Sequence, residues 1–96
     1  MTSSGYYKIE DFFNKHNQAK TGLLSVHRRL VNGVFKNSQE ITTKIPNSSL
    51  INDDKVVFRI KWNEYRMIIY FNFSIQAFNI LFVGTHKEYD KWNARR

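Results

Sequence analysis

The sequence contains no cysteine, which excludes a disulfide framework, a thiolate metal site and a cysteine nucleophile. Three histidines remain for metal or proton-transfer chemistry, and no two of them have the i, i+4 spacing of helical metal ligands. We therefore expect no metal and no cofactor. Acidic residues are also few, because 8 Asp and Glu stand against 15 Lys and Arg, for a formal net charge of +7. This balance favours an anionic partner such as a nucleic acid.

Long hydrophobic runs are absent as well. The longest are residues 67–71 and 80–83, which are far too short to cross a bilayer. Residues 1–7 have neither the basic start nor the apolar middle of a signal peptide. With 96 residues, of which 42% are hydrophobic and 16% aromatic, the chain has enough apolar matter for one core. We expect a single domain over residues 1–96, soluble and cytoplasmic, without membrane contact.

Hydrophobic periodicity predicts helices in the first half of the chain. Ile9, Phe12 and Phe13 follow the i, i+3, i+4 spacing of one helix, and Thr21 is expected to cap a second that stops at residues 32–33. The buried side of the second helix is predicted to consist of Leu23, Leu24, His27, Leu30, Val31 and Val34. Its histidine, like His16 at the end of the first helix, is expected to be structural.

The second half is predicted to be β. Residues 34–52 are expected to be mostly connector with one helical turn, and strands are predicted over residues 55–61, 64–72 and 77–83, with a short helix over 87–92. The predicted fold class is α+β, with two N-terminal helices packed on one face of a three-strand antiparallel meander and a short C-terminal helix. The other face of the sheet is expected to be open.

Strand alternation predicts which side chains reach the open face. If residues 62–63 are the centre of the first turn, Arg59 lies directly opposite Arg66, with Lys61 opposite Glu64. Like charges that face each other across a ladder cost roughly a few tenths of a kcal/mol. A phosphate bound over the two arginines would explain why they are paired. A basic surface with nothing bound explains the pairing equally well. A three-residue loop would reverse the alternation. The core-side pairs of this register are Ile60 with Tyr65, Phe58 with Met67 and Val56 with Ile69.

The same alternation predicts the second hairpin. Phe82 is expected opposite Met67, on the core side, which brings residues 84–86 to the end of the sheet that carries Arg66. The other pairs of this register are Ile69 with Ile80 and Phe71 with Phe78. Arg59, Lys61, Arg66, His86 and the start of the last helix, which span about thirty residues of the sequence, would then meet in one region.

Three stretches of the second half form a specific pattern. Residues 57–60 read Val-Phe-x-Ile, residues 63–66 read Asn-x-Tyr-Arg, and residues 82–91 read Phe-Val-Gly-Thr-His-Lys-Glu-Tyr-Asp-Lys. This pattern resembles the HigB family of mRNA interferase toxins, which belongs to the RelE-like superfamily. Weaker similarity in the first half, at Phe12-Phe13-x-Lys15-His16, Phe35-Lys36 and Pro46, extends the resemblance over nearly the whole chain.

The chain departs from the family pattern in three places. The short apolar strand with which the family opens falls here on Thr-Ser-Ser-Gly at residues 2–5, which leaves open whether that strand forms. Arg59 and Trp62 stand where the family more often has an Asn and a Gly. These differences bear on substrate contacts, and on Arg59 more than on Arg66.

The resemblance implies the toxin of a type II toxin-antitoxin system. Such a toxin is an endoribonuclease that cleaves mRNA held in the ribosomal A site and is neutralised by a helix-turn-helix HigA-type antitoxin, with operator DNA reached only through the antitoxin. Two alternatives remain: a non-catalytic RNA- or DNA-binding module on the same scaffold, and a subunit that binds only the antitoxin.

RNA cleavage without a metal needs a base for the 2′-hydroxyl, cations for the extra charge on phosphorus and an acid for the leaving 5′-oxygen. We predict three catalytic residues. Arg66 is expected to stabilise charge and His86 to transfer protons. Tyr89 is expected to stack on a base, to orient the 2′-hydroxyl or to donate a proton, and the alternative is that it packs the last helix on the sheet. The residues predicted to bind RNA or its phosphates are Arg59, Lys61, Asn63, Lys87, Asp90 and Lys91, of which Asp90 either orients His86 or caps the helix.

Overall fold

A computed structural model of the chain describes residues 1–94, with side chains described as far as Trp92. The strands are β1 (Thr2–Ser4), β2 (Ser48–Asn52), β3 (Lys55–Ile60), β4 (Tyr65–Asn72) and β5 (Ala77–Thr85). The α-helices are α1 (Tyr6–Lys15), α2 (Lys20–Asn32), α3 (Ser38–Lys44) and α4 (His86–Ala94), and short 3₁₀ turns span Asn17–Ala19 and Lys61–Asn63. The predicted α+β class is confirmed.

The sheet is larger than the predicted meander. Its strand order is β1-β5-β4-β3-β2. It is mixed, because β1 runs parallel to β5, from Thr2 opposite Ala77 to Ser4 opposite Asn79, whereas the other neighbours are antiparallel. The N-terminal strand that the Thr-Ser-Ser sequence left open therefore forms.

The helical turn predicted within residues 34–52 forms the start of α3, but the prediction that the rest is mostly connector is wrong. Asn37 caps α3 by accepting a hydrogen bond from the Glu40 backbone N–H, and the helix continues for seven residues. Residues 48–52 form the edge strand β2, which pairs with β3. The sequence Ser-Ser-Leu-Ile-Asn has little β propensity, but backbone hydrogen bonds to one neighbour suffice at an edge.

The β3–β4 register is the predicted one. Arg59 pairs with Arg66 and Ile60 with Tyr65, and the Glu64 N–H donates to the Lys61 carbonyl at 3.1 Å to close the turn. The other two predicted core-side pairs are confirmed as well: Phe58 with Met67 and Val56 with Ile69.

The β4–β5 register is the predicted one only near its connecting turn, where Ile69 pairs with Ile80 and Phe71 with Phe78. Beyond that point a bulge leaves Leu81 outside the ladder, so that Phe82 lies opposite Ile68 rather than Met67, and Val83 takes its place. A one-residue shift turns the following side chains to the opposite face of the sheet. The prediction that Phe82 is a core residue is therefore wrong, and Val83 packs against the core instead.

The main core lies between the sheet and the helices α1 and α2. Leu23 and Leu30 of α2 are fully buried, as predicted, but Val31 and Val34 are exposed, because the helix ends at Asn32 and the extended backbone of Gly33 directs the chain away. Thr21 is not the cap, since α2 begins one residue earlier, directly after a 3₁₀ turn. The buried core residues on the two sides of this interface are Ile9, Phe12, Leu23, Leu30, Phe58, Met67, Ile69, Phe71, Phe78 and Ile80.

The opposite face of the sheet is not open along its whole length, because α4 covers part of it. The ring centroid of Trp92 lies 5.6 Å from that of Phe82, and the ring of Tyr89 lies 6.5 Å from it. The bulge in β5 thus supplies the surface on which the last helix packs. Within the described residues, no helix is long and apolar enough to cross a membrane.

Candidate active site

Two neutral groups hold the guanidinium of Arg66 in place. Its Nε and Nη2 atoms donate to the Oδ1 atom of Asn63 at 3.1 and 2.7 Å. On the other side its central carbon lies 4.7 Å from the centre of the Tyr89 ring, which is an attractive cation–π arrangement. Neither group cancels the positive charge, and the remaining guanidinium N–H groups stay available for an anion. Arg66 is therefore a fixed cation at the surface.

His86 is the first residue of α4 and lies beside Asp90. Its Nδ1 atom is 3.7 Å from Oδ1 of Asp90, one turn further along the helix, and 51% of the imidazole is accessible to solvent. The backbone N–H of His86 donates to the Glu64 carbonyl at 2.9 Å, which ties the start of α4 to the start of β4. An accessible imidazole with a carboxylate beside it is suited to proton transfer.

Asp90 does not cap α4, because two other side chains do so. The Thr85 N–H donates to Oε1 of Glu88 at 2.8 Å, and the Glu88 N–H donates to Oγ1 of Thr85 at 3.2 Å. This reciprocal pair is a capping box. Of the two roles predicted for Asp90, the structure provides the partner for orienting His86.

A shallow depression of about 650 Å³ lies between the β3–β4 turn and the start of α4. Asn63 and His86 both line it, and Asn63 is also the residue that binds the Arg66 guanidinium. Direct contacts thus join Arg66 to Asn63 and to Tyr89, and His86 lies on the same depression as Asn63. The other residues that line the depression are His16, Trp62, Glu64, Tyr65, Thr85 and Lys87.

Arg59 turns away from this group. Although it lies opposite Arg66 in the ladder, its Nη1 atom donates to Oγ of Ser49 on β2 at 2.8 Å. It lines a separate depression, together with Arg29 of α2. Because each guanidinium has its own neutral acceptor, the pairing of the two arginines does not indicate a phosphate bound between them.

The predicted lysines are distributed around the site. Lys61 donates to Oε1 of Gln18 and lines the same depression as Arg59, whereas Lys87 lines the depression of His86. Lys91 is exposed on α4. Lys87 is thus the predicted phosphate-binding lysine that directly adjoins the candidate catalytic groups.

Five residues of the depression were not predicted to belong to the site: His16, Trp62, Glu64, Tyr65 and Thr85. His16 ends α1, as predicted, but its ring also stacks on Phe12 at 4.4 Å between centroids and so reaches the depression. Burial, with the neighbouring Glu64 carboxylate, raises the pKa of the Tyr65 phenol, which therefore remains a proton donor at neutral pH. Trp62 is 95% exposed. The clustering of basic residues does not predict that these residues belong to the site. The one available signal was Trp62, which stands where the family more often has a Gly.

A family model described as HigB_toxin, the RelE-like toxic component of a toxin-antitoxin system, matches residues 19–92. The chain belongs to the HigB toxin family. It is 33% identical over 90 residues to the mRNA interferase toxin HigB of Escherichia coli K12, which corresponds to 90% of this chain and 85% of the relative. The mRNA interferases HigB of Escherichia coli O157:H7 and of Shigella flexneri give the same values. The resemblance predicted from the three motifs is confirmed.

The region that matches the HigB family includes the candidate site. Arg66, His86 and Tyr89 all lie within residues 19–92, and so do Asn63 and Asp90. Among residues 1–94, no three His, Asp or Glu side chains lie together as ligands for a metal ion.

Proposed function

We propose that this HigB-family chain is the toxin of a type II toxin-antitoxin system and an endoribonuclease that cleaves mRNA on the ribosome, in the A site. One observation carries the proposal: Asn63 and Tyr89 fix the Arg66 guanidinium beside the depression that is lined by His86, whose imidazole has Asp90 next to it. The family description and the names of the relatives support the same activity.

The proposed reaction is an internal transesterification of RNA. Neutral His86 accepts the proton of a ribose 2′-hydroxyl, and the 2′-oxygen attacks the adjacent phosphorus. Arg66 stabilises the additional negative charge on the phosphoryl oxygens. The bond from phosphorus to the 5′-oxygen then breaks, and this oxygen takes up a proton from solvent. The products are a 2′,3′-cyclic phosphate and a 5′-hydroxyl, and DNA is not cleaved because it has no 2′-hydroxyl.

Tyr89 acts in this proposal by positioning Arg66. Its ring contacts both the guanidinium and Phe82, so the position of the Arg66 guanidinium depends on the position of α4. Asp90 orients the imidazole of His86, and Lys87 binds a phosphate beside the one that is cleaved. This chemistry requires no cofactor.

The proposed partners follow from family and charge. A helix-turn-helix HigA-type antitoxin neutralises the protein, and the net charge of +7 suits both RNA and an acidic surface of that antitoxin. Operator DNA is bound only through the antitoxin. The protein acts in the cytoplasm, where mRNA is translated.

The test is to map 5′ ends in mRNA that is translated in the presence of the purified protein. In parallel, free RNA is incubated with the protein in the presence of EDTA. We expect the wild type to cut translated mRNA, and both Arg66→Ala and His86→Ala to lower the cleavage rate at least about 100-fold, because each removes a group that acts on the reacting atoms. Arg28→Ala is the charge-matched control, since Arg28 is exposed on α2 outside the site.

Both inactive variants are expected to bind the antitoxin as tightly as the wild type. Full cleavage by both variants would contradict the site assignment. Intact RNA with the wild type, together with binding that weakens steeply with salt, would instead favour the non-catalytic binding module.

A further inference from the structure

Trp62 occupies an unfavourable position in the structure. The residue lies at the tip of the β3–β4 hairpin with φ 67° and ψ −46°, where a bulky side chain is rarely found. Its neighbour Lys61 also has a positive φ of 49°. Glycine would adopt this backbone without strain. The sequence therefore has the largest side chain at a position that favours the smallest.

Packing of the Trp62 side chain does not explain this backbone conformation. Trp62 is 95% exposed, and none of the ring contacts within the described part of the chain involves it. Gln76 offers a comparison, because it has a φ of 52° but donates hydrogen bonds from Nε2 to the carbonyls of Phe35 and Phe73. Backbone strain without an internal partner indicates a functional contact rather than a structural one.

The surroundings of Trp62 indicate what it contacts. It lines the 650 Å³ depression together with His86 and Lys87, and the next residue, Asn63, holds Arg66. The volume lies within the range of about 300–1,000 Å³ that is usual for small-molecule sites. Lys87 and Glu64 are the lysine and the acidic residue of this lining, and the Arg66 guanidinium lies behind Asn63. The indole thus offers a flat apolar surface near two cations, which is the arrangement that binds the bases and the backbone of single-stranded RNA.

We infer that Trp62 is a substrate-positioning residue that stacks on one nucleobase next to the phosphate that is cleaved. This inference rests on the proposed function. The indole holds the base at the rim of the depression, and the ribose of that nucleotide is thereby held toward His86 and Arg66. The occupant is RNA rather than a protein, because the indole lies on the same depression as the proposed base His86, with Lys87 beside it and Arg66 held by the next residue.

The test uses three variants with ribosomes programmed with a short synthetic mRNA. Trp62→Ala and Trp62→Gly are expected to lower kcat/KM for cleavage about 10- to 100-fold, mainly by raising KM, because each removes one stacked base. Trp62→Phe keeps an aromatic face and is expected to stay within about threefold of the wild type. Tyr7→Ala, which removes another exposed aromatic side chain away from the depression, is expected to have no effect.

Trp62→Gly also separates function from folding. Because glycine relieves the positive φ, its thermal unfolding midpoint is expected to equal or exceed that of the wild type, so that its lost activity cannot result from unfolding.

A second measurement identifies the base. The synthetic mRNA is made with one abasic nucleotide at each position around the cut. At one position the missing base is expected to slow the wild type to the rate of Trp62→Ala and to remove the difference between the two proteins. A difference that persists for every abasic substrate would overturn the inference, as would equal cleavage of intact mRNA by Trp62→Ala and wild type.

Two further outcomes are distinguishable. If the wild type does not cut, the proposed function fails and the inference fails with it. If Trp62→Ala cuts normally but no longer binds the antitoxin, Trp62 belongs to a protein interface and the inference alone is wrong.

Discussion

Asn63 determines which part of the Arg66 guanidinium faces a substrate. Its Oδ1 atom accepts hydrogen bonds from Nε and Nη2, which together form one of the two edges with which an arginine binds a phosphate in bidentate fashion. The cation therefore meets an anion through its other donors. An amide is suited to this role, because it orients the guanidinium without neutralising it.

This arrangement predicts losses of different size for two changes at residue 63. Asn63→Asp places a carboxylate on the same guanidinium atoms and is expected to reduce cleavage about 100-fold, because it competes with the phosphate for Arg66. Asn63→Ala only frees the guanidinium and is expected to cost about 10-fold through lost orientation. Single-turnover cleavage of translated mRNA measures both. An Asp variant as active as the Ala variant would show that Arg66 does not bind the phosphate.

The candidate catalytic residues could be predicted from the sequence, but the directions of side chains at the site could not. The motifs pointed to Arg66, His86 and Tyr89; Tyr89 contacts Arg66 directly, and His86 lies on the depression that Asn63, the partner of Arg66, also lines. The direction of the Arg59 side chain was not predictable, because it depends on a hydroxyl of β2, a strand whose polar sequence gave no β signal. Side-chain direction requires the neighbouring element to be known.

At the scale of elements, α4 carries most of the candidate catalytic side chains. The helix is short, and its first turn depends on the capping box between Thr85 and Glu88. His86 lies directly behind this cap, and Tyr89 follows one turn later. The stability of the helix start and the geometry of the site are therefore coupled.

We expect Thr85→Ala to lower the free energy of unfolding by about 1 kcal/mol and to slow cleavage as well, because the first turn of α4 loses its cap. Thr85→Ser keeps the hydroxyl and is the matched control. Urea unfolding measures the first effect and the cleavage rate the second. If Thr85→Ala were as stable as Thr85→Ser, the hydroxyl would not stabilise the helix.

The predictability of the elements follows the strength of their local signals. The β3–β4 register was predictable, because alternation and a tight turn allow only one arrangement that buries Phe58 and Met67 together. The bulge at Leu81 was not, because Phe82 and Val83 are both apolar and either of them satisfies the core. The sequence does not predict β1, because backbone hydrogen bonds to β5, rather than apolar side chains, hold this strand.

At the scale of the whole molecule, His27 joins the N-terminal strand to the helical layer. Its Nε2 atom lies 2.9 Å from Oγ of Ser3, and its ring contacts those of Tyr6 and Phe78 at 4.8 and 5.8 Å between centroids. Burial lowers the pKa of the His27 imidazole, because the charged form loses hydration there. Protonation of this one side chain therefore opposes the assembly of β1, α1, α2 and β5.

The lowered pKa predicts a pH dependence of stability. In the unfolded chain the imidazole binds a proton near pH 6.5, whereas the folded protein does so only at lower pH. Between these values the unfolded state binds more protons, so the contribution of His27 to stability is complete above about pH 6.5 and is lost as the pH falls below it. The free energy of unfolding, measured from pH 7.5 to pH 5, is expected to fall less in His27→Gln than in the wild type.

Arg28→Gln is the control for this measurement, because it removes a neighbouring charge on the exposed side of α2. Its pH dependence is expected to run parallel to that of the wild type. If the His27→Gln curve also ran parallel, burial of the imidazole would not be a source of acid sensitivity.

The bulge in β5 has a consequence for how this chain tolerates genetic change. Lys8 donates to the carbonyl of Leu81 at 3.1 Å, a contact that any amino acid at position 81 preserves. Loss of residue 81 would remove this acceptor and straighten the strand, but it would keep Phe82 opposite Ile68 and Val83 opposite Met67, because Ile80 and Phe82 already face adjacent residues of β4. The surface beneath Tyr89 and Trp92 would then be preserved. This segment is therefore expected to tolerate both replacement and loss of residue 81.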